Sequence, residues 1–318
     1  FRSVRKVELA ESMVRFTEEH VASWREDGFC VIEDFFSVDE IAPLIEDFER
    51  LYPAQPEEAQ EPVYMDPKAE DYALARRAQF KNIHSLPYDG GIELNLISLH
   101  PALIKFAQAL LGVDDVHCYQ SHTWAKFTGQ TDYEQDFHCD FHNHTLTVPS
   151  DDHAARTVDF IFYLTDVTEQ NGALRYVTKP DVVKALGRSA LAAYTEEEQA
   201  RLLRFERKVE VPAGGLVAHG IDTMHRGANL LEPGGRRFSM TVGYKAAGND
   251  NIQYHVWQTG ADKDWAKIIN HASPEQLTVL GFPRPGDEFW SLRTLKLTQA
   301  RWPELDMSPY FAAAGFEP

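Results

Sequence analysis

The sequence predicts a mainly β protein, a sandwich or barrel, with helical extensions at both ends. Three observations predict it. Between residues 116 and 245, short β-branched and aromatic runs alternate with turn-formers, and no regular helix lies between them. The first hundred residues and the tail instead carry apolar residues at helical spacing. No internal repeat, low-complexity tract or long linker divides the chain. A single domain over 1–318 is therefore expected: a helical N-terminal region at 1–115, a β core at 116–245 and a helical extension at 246–318.

In the N-terminal region the clearest helix is "SVDEIAPLIEDFERLY". Ser37 and Glu40 have capping-box spacing, and Ile41, Leu44, Ile45, Phe48 and Leu51 form one stripe. "HPALIKFAQALLG" repeats the theme, with Pro101 near its start and Gly112 as a stop signal. The expected strands are "VHCYQSHTWAKF", "FHCDFHNHTLTV", "TVDFIFYL", "LRYV", "FERKVEVPAG", "GLVAHG" and "RFSMTVGY". Turn-formers such as "TGQTD", "EQNG" and "EPGG" separate them. In the tail, "DKDWAKIINH", "SPEQLTVLGF" and "SLRTLKLTQARW" read as short amphipathic helices.

Composition narrows the function classes. Of 318 residues, 43% are hydrophobic and 12% aromatic, enough for a substantial core. Thirty-one Lys and Arg against 49 Asp and Glu give a net charge of −18, which repels nucleic acid and anionic membranes. A small-molecule substrate is the expected partner, with acidic stretches such as "PEEAQEPVYMDPKAED" solvated on a loop; oligomeric state is left open. Cys30, Cys118 and Cys139 are odd in number and lack CxxC spacing, so a reducing cytosol fits best. No apolar run is expected to reach the roughly 20 residues of a membrane span, and no secretory segment is visible.

Chemistry concentrates in "QDFHCDFHNHTL", residues 135–146, with three histidines and two aspartates. If this is a strand, alternation puts His138 and Asp140 on one side at adjacent positions, where a nitrogen and a carboxylate oxygen can share an ion. Two histidines and one carboxylate on one face suit ferrous iron, because the opposite positions stay open. His142 and His144 run away from that pair and read as pocket lining or surface. The third ligand should come from a strand returning beside the first, where "GLVAHGIDTMHRGANLLEPGGRRFSMTVGY" offers His219 and His225. In "RFSMTVGY", Arg237, Ser239, Thr241 and Gly243 share one face and Phe238, Met240, Val242 and Tyr244 the other. A guanidinium beside a hydroxyl two residues on can grip a carboxylate. Together these features describe a site for iron(II), 2-oxoglutarate and dioxygen. There the keto acid is decarboxylated to succinate and carbon dioxide while a C–H bond is oxidised.

With those residues assembled, the chain resembles the phytanoyl-CoA dioxygenase family of iron(II)/2-oxoglutarate oxygenases, including its ectoine-hydroxylase branch. The likeness rests on "FTEEHVASWREDGFCVIEDFFSVDEI", "HCD", "YLTDVTEQNGALRYV" and "MHRGANLLEPGGRRF", four pieces in the family's order. It implies a double-stranded β-helix, the cupin-type jelly roll, as the core. It further implies His138, Asp140 and His225 as iron ligands and Arg237 as the 2-oxoglutarate clamp. Arg236 is a rival at related spacing, although it should point with Phe238. "QSHTWAK" resembles the stretch in which a lysine reaches 2-oxoglutarate and a glutamine faces substrate, which implies roles for Lys126 and Gln120 on one face with His122 and Trp124.

The chain also departs from the family. "VTKPDV" replaces the usual Pro-Gly-Ser-His, so a different loop is expected over the mouth. Ile161 stands where an aromatic residue is common, so purely apolar co-substrate contacts are expected from that strand. Asp140 is retained where family halogenases carry a small residue, which favours hydroxylation or a related oxidation. Two competing readings are a zinc or manganese cupin acting as isomerase or lyase without 2-oxoglutarate, and a non-catalytic ligand-binding jelly roll. The first would keep His138, Asp140 and His225 but has no use for an Arg237–Ser239 clamp; in the second, His138 and Asp140 make ordinary hydrogen bonds.

Overall fold

The computed structural model describes residues 14–53, 83–129, 134–190, 194–252, 255–257 and 263–317. The acidic stretch 56–71 lies outside the described residues. Among the described residues, nine strands form two antiparallel sheets. The larger has the order β1(Phe29–Ile32), β7(Leu216–Gly220), β4(Thr157–Tyr163), β9(Arg236–Ala246), β3(Val116–Phe127), β2(His84–Ser85). The smaller has the order β6(Arg207–Val209), β5(Leu174–Val177), β8(Met224–Arg226). This is the jelly-roll core that the resemblance implied. The N-terminal region is not purely helical, since it supplies β1 and β2 to the large sheet.

Alternation gives the large sheet two unlike faces. Outward, Phe238, Met240, Val242 and Tyr244 of β9 join Val158, Phe160 and Phe162 of β4 and Leu216 and Ala218 of β7 in the main hydrophobic cluster. Helices cover this side. The Val38–Leu51 helix starts at the expected capping box, Ser37 with Glu40, and buries Ile41, Leu44 and Phe48. The Pro101–Leu111 helix ends on Gly112 at φ 67°, a left-handed stop that favours glycine. Its Phe106 stacks on Phe160 with ring centroids 5.4 Å apart.

Contrary to expectation, one stretch does reach membrane-spanning length: Ile92–Leu111 is 20 residues long and apolar enough by composition. Its apolarity serves the core instead. The stretch is broken by a 3-10 turn at Ile97–Leu99 and by Pro101, it is 72% buried, and Ser98 O accepts from the Tyr244 hydroxyl on the sheet.

A second correction concerns 137–148, which reads as a strand. Backbone pairing is confined to two isolated bridges, His138 with His225, which exchange both hydrogen bonds, and Thr145 with Ile252. Alternation persists to Phe141, with Phe137, Cys139 and Phe141 buried beneath, and a one-turn helix, Phe141–His144, follows. The pairing is short because β8 has only three residues, and Phe141 N instead bonds Ile221 O at the turn.

The sheets are pinned together at one end by Phe29, Tyr163, Val167, Leu174, Tyr176, Val209, Val211 and Val217. In the tail, the expected helices appear at Ala266–Ile269, Pro274–Thr278 and Leu292–Arg301, with a further one at Ser308–Ala313.

Candidate metal centre and active site

The bridge between His138 and His225 sets the site. Because their backbones pair, their rings lie side by side with centroids 4.5 Å apart. Asp140, two residues on, where the chain turns into the Phe141–His144 helix, points to the same side. Donor atoms of His138, Asp140 and His225 all lie within 4.8 Å of one another.

Each of the two rings is oriented from behind. His138 Nδ1 is 2.8 Å from Asp136 O, and His225 Nδ1 is 3.0 Å from Thr223 O. A carbonyl only accepts, so Nδ1 carries the hydrogen on both rings and the Nε2 lone pairs are available for a metal. Burial drives the His225 imidazole down to about 3, with His138 and His219 adding to it against the pull of Asp140. It is therefore neutral at pH 7, as a ligand must be. Burial opposes charge on Asp140, but the imidazoles of His225, His219 and His138 outweigh it and hold the carboxyl well below its ordinary range. Two imidazole nitrogens and one carboxylate fit a ferrous ion with open positions.

The other expected residues lie on the inner face of the large sheet. Opposite residues of an antiparallel pair share a face, so the register sorts them into rows. Lys126 faces Arg237; Trp124 faces Ser239, which faces Tyr163; His122 faces Thr241, which faces Ile161; Gln120 faces Gly243, which faces Asp159, which faces His219. Lys126, Arg237, Ser239 and Gln120 are all buried. The Arg237 guanidinium donates to Gly172 O. Gly172 is the glycine of "EQNG": at φ 73° a Cβ there would sit 2.8 Å from Ala228 O, so the turn that brings this carbonyl to Arg237 requires glycine. Arg236 points the other way, half-exposed, paired with Glu49 at 3.1 Å and stacked over Phe238.

Of the remaining histidines, His142 is exposed and His144 reaches the Tyr119 hydroxyl through Nδ1 at 3.2 Å. "VTKPDV" forms the start of a helix, Lys179–Leu186, capped by Thr178.

Ile161 presents an apolar side chain to the interior, although its strand is not purely apolar on that face. Two residues further along the same face stands Tyr163, whose buried hydroxyl has no hydrogen-bond partner among the described residues. Two residues before Ile161, the fully buried Asp159 accepts from Tyr119, Gln120 and Thr157. The signal for both was present: in "TVDFIFY" the face of Ile161 also carries Thr157, Asp159 and Tyr163. Tyr119 could not be placed by alternation, because a bulge between Cys118 and Gln120 turns it inward beside Gln120.

Comparison with known proteins agrees with the fold. The chain is similar in fold to the α-ketoglutarate-dependent carbocyclase SnoK from nogalamycin biosynthesis, at 19% identity and TM-score 0.54, covering 78% of this chain and 90% of that one. It is also similar to EctD from S. alaskensis, whose structure holds 2-oxoglutarate and 5-hydroxyectoine, at 21% identity and TM-score 0.52, covering 76% and 79%. Among curated protein sequences, none is similar enough to match. The family model for phytanoyl-CoA dioxygenase matches residues 24–238, two thirds of the chain, which takes in the whole candidate metal centre. The chain therefore belongs to the phytanoyl-CoA dioxygenase family, a family of enzymes that work with iron(II), 2-oxoglutarate and dioxygen.

Proposed function

We propose that this chain, acting as one oxygenase domain, oxidises a C–H bond of a small molecule, with hydroxylation as the favoured outcome. In this reading His138, Asp140 and His225 hold iron(II), and Arg237 with Ser239 and Lys126 holds the distal carboxylate of 2-oxoglutarate. The observation that carries it is the convergence of two back-oriented imidazoles and one carboxylate within 4.8 Å, on the side of the barrel that also buries Arg237. When bound, iron, keto acid and dioxygen would supply the oxidising power, releasing succinate and carbon dioxide.

The chain's own residues do the rest. Asp136 O and Thr223 O keep two ligand rings in one tautomer and one orientation. Arg237 offers a charged fork for a carboxylate, and the Tyr163 hydroxyl, in the Ser239 row, offers a further donor to the same oxygens. Trp124, Ile161 and Val217 line the same face and keep water from the co-substrate. Asp159 and Tyr119 fix the Gln120 amide through its nitrogen, at 2.7 and 3.1 Å, so its position against a substrate is set before binding. The three cysteines are all buried and without disulfides, which supports a reducing compartment such as the cytoplasm.

The test is spectroscopic. Protein purified without oxygen and given iron(II) and 2-oxoglutarate develops the weak visible charge-transfer band of the chelate. Correctly folded protein that binds the metal but gives no band with 2-oxoglutarate would favour the isomerase or lyase reading.

A further inference from the structure

Three imidazoles crowd Asp140, and they are not in the same state. His138 and His225 have Nδ1 against backbone carbonyls, which fixes the hydrogen on Nδ1. His219, almost wholly buried on β7, is wired the opposite way. Its Nε2 lies 3.3 Å from Asp140 Oδ2 and its Nδ1 lies 3.0 Å from the Tyr176 hydroxyl. A carboxylate can only accept, so Nε2 must carry the hydrogen. Nδ1 then accepts, and the phenol can donate where a carbonyl could not. Tyr176 is itself fixed: it stacks on Phe29 with centroids 4.5 Å apart, and its backbone pairs with that of His225.

His219 also lies with Asp140 and Asp159 in a second group whose donor atoms fall within 4.8 Å, which could be taken for a second cation site. The bonding of Asp159 opposes that. Its two oxygens take the Tyr119 hydroxyl at 2.7 and 2.9 Å, the Gln120 amide at 2.7 Å and the Thr157 hydroxyl at 3.2 Å. Neutral donors already satisfy the carboxylate, and a cation would have to displace them. The sequence accommodates this network: a Cβ at Gly243 would lie 2.5 Å from both Asp159 Oδ1 and the Tyr119 ring.

We propose that His219 is a positioning residue and not a ligand: braced at Nδ1 by the Tyr176 hydroxyl, it donates from Nε2 to Asp140 and holds that carboxylate where it can share one ion with His138 and His225. The inference rests on the iron-site reading above. Contacts of this kind behind a ligand are worth about 10–100-fold in metal affinity.

The experiment is an anaerobic titration of the full chain with iron(II), repeated with cobalt(II) as a spectroscopic probe, with thermal unfolding as the control for fold. Wild type should bind one ion per chain. His219→Leu should bind it about 10–100-fold more weakly. His219→Gln, whose amide nitrogen reaches the place of Nε2, should recover most of that loss, and Tyr176→Phe should show a smaller one with a changed cobalt spectrum. If His219→Leu folds poorly, the other two variants carry the comparison. Wild-type affinity in His219→Leu, or equal weakness in the Leu and Gln variants, would overturn the proposal. So would two ions per wild-type chain with one lost on substitution of His219. A wild-type chain that binds no ion would instead overturn the iron-site reading itself, and this proposal with it.

Discussion

The two faces of the large sheet are built from the same strands and have opposite characters. On β9 the outward residues Phe238, Met240, Val242 and Tyr244 meet helices, while Arg237, Ser239, Thr241 and Gly243 face the interior of the barrel. On β4, Val158, Phe160 and Phe162 alternate with Thr157, Asp159, Ile161 and Tyr163. The difference teaches that burial has two meanings here. Outer-face residues are buried because apolar surface leaves water, at about 25 cal/mol per Å². Inner-face polar residues are just as buried but hold one another or face the barrel interior, and burying them without partners would cost about 1–3 kcal/mol each. The outer face should therefore govern stability and the inner face activity.

The largest expected effect breaks the inner face alone. His225→Ala or His138→Ala should abolish turnover, because a second open position lets the metal escape, while thermal unfolding of the metal-free protein stays near wild type. Retained activity in either variant would remove that residue from the ligand set.

The converse substitution, Phe160→Ala, should cost about 3–5 kcal/mol in chemical denaturation, since the ring is fully buried between Phe106 and Tyr244. The fraction that stays folded should bind 2-oxoglutarate normally. A co-substrate defect at unchanged stability would break the division of labour between the faces.

Next comes Arg237→Ala, which removes a charge-assisted contact of about 1.5–3 kcal/mol and so should raise the 2-oxoglutarate dissociation constant roughly 10–150-fold. Arg236→Ala, on the outer side of the same strand, should leave that constant unchanged. The reverse pattern would exchange their roles.

The smallest effect sharpens the outer layer. Glu40 accepts from Arg15 at 2.8 Å and lies 3.2 Å from His100. Burial alone would raise its carboxyl, but His100, Arg15 and Ser37 outweigh it and depress it well below the ordinary value. A depressed folded-state value means the contribution is present above the unfolded value and lost as pH falls toward the folded one. Glu40→Gln should thus be less stable than wild type by about 1 kcal/mol at pH 7, allowing for solvent screening of a partly exposed pair. The gap should close below roughly pH 4. A pH-independent gap would show that the ion pairs are not its source.

The sequence made the outer face and the shared side of His138 and Asp140 legible for the same reason: both depend on short-range periodicity, whereas the choice of His225 over His219 as their partner came only from the family resemblance. The stripe from Ile41 to Phe48, the alternation of β9 and the same-side placement of His138 and Asp140 need no knowledge of distant chain. What escaped depends on pairing. The length of β8 decides where 137–148 stops being extended, and a one-residue bulge turns Tyr119 inward. His219 was visible as an alternative ligand, but Tyr176, whose hydroxyl braces its Nδ1, is 43 residues away in sequence and on the other sheet. Ile92–Leu111 shows the same limit from the other side, because only the packing tells a core helix from a membrane span.

The most direct test of the central claim is a crystal structure of the anaerobic iron(II)/2-oxoglutarate complex, with the metal located by anomalous scattering at the iron edge. The account predicts a single peak bound by His138 Nε2, His225 Nε2 and an Asp140 oxygen, with the far carboxylate of the keto acid on Arg237. A peak held by His219 and Asp159, or a keto acid turned away from Arg237, would contradict it.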